Sequence, residues 1–99
     1  MRPMPLFVLI GRDGADGVER RKMHRAAHLE NLERADQVGR LFFAGPLKDT
    51  DGTPRGSVVI FEAESHAAAA EFVSQDPYMQ EGVFAHVEVF ETLRVFPKK

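Results

Sequence analysis

Two stretches of this chain, Leu6–Ile10 and Val58–Phe61, are apolar at every position. A strand whose sheet has one wet face alternates apolar and polar side chains. Here Leu6, Val8 and Ile10 alternate with Phe7 and Leu9, and Val58 and Ile60 alternate with Val59 and Phe61. Any sheet built from these strands therefore has two apolar faces to cover. That demand limits the fold more than any other feature, because a chain of 99 residues has few elements with which to meet it. One domain spanning residues 1–99 is expected at this length.

The remaining elements follow from local chemistry. Leu6–Ile10 is short and runs into the turn-prone GRDGADG, as a buried strand does. Residues 18–38 contain no Pro or Gly and are rich in Arg, Glu, Leu and Ala, which predicts a long helix stopped by Gly39. RLFFAG and GSVVIFEA read as two strands joined by a hairpin around Asp51 and Gly52. Ser65 is placed to cap a helix over HAAAAEFVSQ, and Pro77 ends it because the residue before proline is pushed out of helical geometry. HVEVFETLRVF alternates as a last strand.

The predicted order is β-α-β-β-α-β. Short connections and right-handed crossovers turn that order into a ferredoxin-like α+β fold, a four-stranded antiparallel sheet with two helices on one face. Two helices cover one face only. The other calls for a partner, most simply a second copy, so a homodimer packed through the open sheet face is expected.

Charge and composition exclude several functions. The formal net charge of −2 offers no general electrostatic grip on nucleic acid. The chain has no cysteine, which rules out disulfides, thiolate chemistry and cysteine metal sites. An apolar run of five residues near the start is too short for a signal peptide or a membrane span, so a cytoplasmic protein with no membrane partner is expected.

The first helix carries the sequence HRAAHLENL in its middle. At 100° per residue, Val18, Leu29, Leu32 and Ala35 mark an inward sector. Arg21, Arg25 and His28 fall within or beside it, so one side of the helix is apolar toward its C-terminus and cationic toward its N-terminus. This pattern suggests a cavity at the edge of the core. On the second helix Ala69, Phe72 and Val73 form an inward stripe that Asp76 continues. A carboxylate in the last turn of a helix calls for a nearby cation, and His28 with the two arginines are the candidates. An Asp bonded to one ring nitrogen of His28 would fix its tautomer and leave the other nitrogen free as acid or base.

Three readings of that pair stay open on spacing alone. The His–Asp and Arg–Asp contacts could be structural, they could be an acid/base site, or His24 and His28, one turn apart, could hold a metal. The metal reading lacks a third ligand, and neither metal nor organic cofactor is expected. GRDGADG lacks the pattern of a phosphate loop, and Ser57 lies at a strand start with no G-x-S-x-G setting for a nucleophile.

The motifs also carry a resemblance. RAAHL (Arg25, His28, Leu29), GRLFFAGPL (Gly39, Leu41, Ala44, Gly45, Pro46), DGTPRGS (Asp51, Gly52, Gly56, Ser57) and DPYMQEGVF (Asp76, Pro77, Tyr78, Gly82, Val83, Phe84) occur in that order. In this the chain resembles the YciI-like, or YCII-related, proteins over nearly its whole length. The resemblance implies a dimeric α+β barrel, in which His28 and Asp76 form the active site. It also brings in one characterised kind of relative, which removes chloride from a chlorinated hydroxyquinol. The chain departs from relatives that place tyrosines on the first strand, having Phe7 and Ile10 there, and its hairpin is shorter than in some.

The function expected on these grounds is a small enzyme acting on a compact cyclic or aromatic oxygenated metabolite by lyase, isomerase or hydrolase chemistry. His28 would be the general base and then acid, and Asp76 its orienting partner. Arg25 would hold an anionic oxygen, while Gly45, Pro46, Ser57, Tyr78 and Phe84 would shape the substrate pocket. The alternatives are a non-catalytic small-molecule-binding module and a structural dimer whose His–Asp pair steadies the helix ends.

Overall fold

The computed structural model describes residues 4–98. Strand β1 (Leu6–Asp13) leads into helix α1 (Gly17–Gln37). Strands β2 (Leu41–Lys48) and β3 (Pro54–Glu62) form a hairpin, followed by α2 (His66–Ser74), a short α3 (Pro77–Gln80) and β4 (Phe84–Thr92). The sheet order is β2-β3-β1-β4, with every pairing antiparallel. The helices lie on one face, and the expected ferredoxin-like α+β fold is present.

The covered face is built by the residues that the period of two places together. Phe7 and Leu9 from β1 and Val59 and Phe61 from β3 are fully buried against Leu32 of α1 and Ala69 and Val73 of α2. Phe61 stacks on Phe7 and tilts against Phe72, which continues the core toward α2. A second, smaller cluster of Tyr78, Val83 and Phe84 closes the end of the sheet beside α3.

The opposite face matches the pattern of the sequence. Register places Leu6, Val8 and Ile10 beside Ile60 and Val58 of β3 and Phe90 of β4. Phe43 of β2 lies opposite Ile60 and is 54% exposed. No helix among the described residues packs on this face, and none is long and apolar enough to cross a membrane.

Three expectations about the elements need correction. HVEVFETLRVF is not strand throughout: β4 begins at Phe84 and ends at Thr92, and Leu93, Val95 and Phe96 leave the sheet as exposed chain. The inward sector of α1 does not pass through Val18 and Leu29, which are 37% and 45% exposed. It runs instead through Arg21, His28, Leu32 and Ala35, so Leu32 and Ala35 keep their inward places while Arg21 and His28 replace Val18 and Leu29. The apolar periodicity misleads because two of its members border a cavity rather than the core. The third correction, at Asp76, belongs to the site.

Candidate active site

The helix that should carry Asp76 in its last turn ends earlier. Helix α2 stops at Ser74, and Asp76 adopts an extended backbone (φ −71°, ψ 127°) before Pro77. Proline excludes the helical conformation from the residue before it and is itself well suited to a first helical turn. Asp76 is therefore the N-cap of α3, and its side chain accepts from the Tyr78 backbone N–H at 2.9 Å. The carboxylate faces free N–H groups rather than the carbonyl end of a helix.

The same oxygen reaches across to α1. Asp76 Oδ1 lies 2.8 Å from His28 Nδ1, with both side chains buried. A carboxylate at that distance accepts from an Nδ1–H, which leaves Nε2 turned away from Asp76. Tyr78 fixes the plane of the ring: its own ring stacks on the imidazole at 3.7 Å between centroids and 5° from parallel. The phenol hydroxyl donates to the backbone carbonyl of Arg21 at 3.3 Å, tying α3 back onto α1. Burial pushes the Tyr78 hydroxyl above its ordinary pKa, partly offset by the charges of Arg21 and Arg25.

Arg21 anchors the other end of the site. Its Nε and Nη2 donate to the Asp13 carboxylate at 2.5 and 2.9 Å, and Nη2 also donates to Ser57 Oγ at 3.0 Å. A register shift at Arg12/Asp13 turns Asp13 out of the regular ladder. Gly17 makes room for it, since a Cβ there would lie 2.7 Å from Asp13 Oδ2. The guanidinium also sits 5.0 Å from the centre of the Tyr78 ring.

Between α1 and the β2–β3 edge lies a cavity of about 330 Å³. His28, Arg25 and Tyr78 line one wall, and Gly45, Pro46 and Ser57 line the other. Val59, Leu32 and Ala44 form an apolar floor, with Lys22 and Arg25 exposed at the rim. Among the described residues no Asp or Glu lines the cavity.

Of the residues expected to form the site, His28, Arg25, Gly45, Pro46, Ser57 and Tyr78 thus meet around one space. Asp76 acts from behind His28. Phe84 does not reach the cavity: it packs edge-on against Tyr78 at 6.0 Å and over Gly11, where a Cβ would lie 2.8 Å from its ring. Its place is support for Tyr78 rather than contact with a ligand. Asp13 and Lys22 are not among the residues expected here, and Arg21, a candidate partner for Asp76, pairs with Asp13 instead. Only the bulge, invisible in sequence, brings Asp13 to Arg21.

With the geometry established, comparison with known proteins decides the family. The YCII-related domain model matches residues 5–93. The chain belongs to the YCII-related family. Protein YciI of Escherichia coli is 39% identical over 97 residues, covering 92% of this chain and 99% of that protein. An uncharacterized protein of Haemophilus influenzae is 33% identical over 96 residues, covering 91% and 98%. Among solved structures, the 5-chloro-2-hydroxyhydroquinone dehydrochlorinase of Burkholderia phenoliruptrix, in complex with 2,5-dihydroxybenzoquinone, is similar with a TM-score of 0.78 and 31% identity. The match covers 86% of this chain and 90% of that one. One protein with this architecture is thus a dehydrochlorinase.

Proposed function

We propose that this family member is a small-molecule enzyme in which His28 moves a proton at a compact, oxygenated ring. The observation that carries the reading is the 2.8 Å contact of His28 Nδ1 with Asp76 Oδ1 in the wall of the cavity. A carboxylate behind one nitrogen orients the ring so that the other nitrogen faces the substrate, and it offsets the charge of the imidazolium that forms during transfer. His28 Nε2 takes a proton from the substrate and returns it to a leaving group or to a second position. Arg25 and Lys22 favour the negative charge that develops on oxygen, in a space screened from bulk water on its apolar floor.

The cavity volume suits a single ring and little more. The dehydrochlorinase resemblance supports the same class, since that enzyme's substrate and bound quinone are both one-ring oxygenated compounds. The corresponding test is chloride release from 5-chloro-2-hydroxyhydroquinone. Turnover by the wild-type protein supports the reading. Saturable binding of 2,5-dihydroxybenzoquinone without any turnover turns it toward a binding module, and absence of both removes the one-ring class.

The active unit in this proposal is a homodimer joined through the open sheet face. Leu6, Val8, Ile10, Phe43, Val58, Ile60 and Phe90 form a continuous apolar surface there. Soluble proteins rarely leave such a surface to water.

A further inference from the structure

Ser57 is 3% exposed and sits on β3, across the cavity from His28. Its oxygen accepts a hydrogen bond from Arg21 Nη2, and that arginine is neutralised and held by Asp13. A guanidinium donating to a hydroxyl oxygen occupies one of its lone pairs and turns the O–H away from itself. Among the described residues Ser57 Oγ donates no hydrogen bond, which leaves the hydroxyl proton free to turn toward the cavity that Ser57 lines. The same contact makes Ser57 a poor nucleophile, because no base stands against its proton. It makes Ser57 a good donor, because charge-assisted bonding to the oxygen polarises the O–H.

We propose that Ser57, positioned by the Arg21–Asp13 pair, donates a hydrogen bond to the oxygen of the bound molecule that becomes negative when His28 removes a proton. The inference rests on the proton-transfer reading of His28 and names the chemistry that the site selects. The ligand is a phenol, an enol or a ketone with an acidic neighbouring C–H, bound or formed as its oxyanion. The proton passes to His28 Nε2; from a phenol or enol the O–H pair stays on the oxygen facing Ser57, and from a ketone the C–H pair becomes a C=C bond while the carbonyl π pair moves onto that oxygen. No oxidant or reductant is needed for the balance.

The division of labour is also set by geometry. Arg25 and Lys22 are exposed at the rim, make no ion pair among the described residues, and supply a general attraction for anions. Ser57 is buried and directional. Arg21 is a positioning residue: two of its donors are committed to Asp13, and its contribution to the ligand passes through Ser57.

The probe is 4-nitrophenol, whose ionised form absorbs visible light, with neutral 4-nitroanisole as its control. Bound to the wild-type protein, 4-nitrophenol is expected to be more ionised than in solution at the same pH. Ser57→Ala, with an unchanged melting temperature, is expected to weaken nitrophenolate binding about tenfold or more and to lower the ionised fraction, with 4-nitroanisole affinity unaltered. Arg21→Lys, which keeps the charge and loses the fork, is expected to give a partial loss of the same kind. A folded Ser57→Ala that binds and ionises 4-nitrophenol as the wild type does would overturn the assignment, as would a wild-type protein that does not bind it. Chloride release by His28 variants judges the proton-transfer reading separately, so the two can fail independently.

Discussion

The rings of His28 and Tyr78 lie parallel, 3.7 Å apart, and Tyr78 sits two residues beyond the aspartate that holds the same imidazole. One short turn, Asp76-Pro77-Tyr78, therefore fixes both the in-plane direction and the tilt of His28. The arrangement separates two contributions of Tyr78, its ring and its hydroxyl. Tyr78→Phe keeps the stack and loses the bond to the Arg21 carbonyl, with an expected cost of about 1 kcal/mol in urea denaturation and little change in turnover. Tyr78→Ala removes the stack, costs about 3–5 kcal/mol by large-to-small truncation, and releases His28 from its plane, so turnover falls as well. Equal activity in both variants would show that the stack does not position His28.

Asp76→Asn separates charge from capping. Asparagine caps a helix about as well as aspartate, so the melting temperature is expected to move by only a few degrees. The amide no longer stabilises an imidazolium, and turnover is expected to fall by about 10²–10⁴. Circular-dichroism melting beside a turnover assay tests both halves.

Tyr78 gives a pH signature in stability. Burial raises its pKa in the folded protein, so the neutral phenol is favoured there. Below the unfolded tyrosine value of about 10 both states hold the proton, and the group adds no pH dependence. Above it the unfolded chain loses the proton first, so stability falls as pH rises toward the folded value. The chain has one tyrosine and no tryptophan, so tyrosinate absorbance reports this group alone. Native protein is expected to titrate above denatured protein, and Tyr78→Phe is expected to lose that part of the alkaline destabilisation.

Arg21 and Asp13 form a buried pair whose side chains are 10% and 4% exposed. Arg21→Met strands a buried carboxylate and is expected to cost about 3–5 kcal/mol. The double variant Arg21→Met/Asp13→Leu leaves no charge stranded and is expected to be more stable than the single one. Urea denaturation of the four proteins of this cycle gives the coupling directly.

The open sheet face gives a prediction about assembly. Light scattering at micromolar concentration is expected to report a dimer. Phe43→Asp, at a half-exposed position on that face, is expected to yield monomer with its fold retained. A stable wild-type monomer would contradict the sheet-to-sheet dimer.

The fold was largely legible because its signals are local or periodic. The double-sided apolar strands, the Pro- and Gly-free run of residues 18–38 and the Ser65 cap each identify an element before any contact is known. The candidate site was legible where the chain carries motifs of its family, at His28 and at the Asp76-Pro77-Tyr78 turn. It was illegible where tertiary geometry overrides periodicity. Leu29 has the spacing of a core residue but borders a cavity, and Asp76 continues a helical stripe after the helix has ended. Asp13 joins Arg21 through a bulge and the space left by Gly17, and neither has a sequence period.

In the function proposed, His28 transfers a proton and does more than hold two helices together. Its most direct test pairs chloride release from 5-chloro-2-hydroxyhydroquinone with the affinity for 2,5-dihydroxybenzoquinone, in wild-type protein and in His28→Gln. Turnover is expected to fall by about 10² or more in the variant, with quinone affinity changed only a few-fold. Turnover in a folded His28→Gln equal to that of the wild type would contradict it.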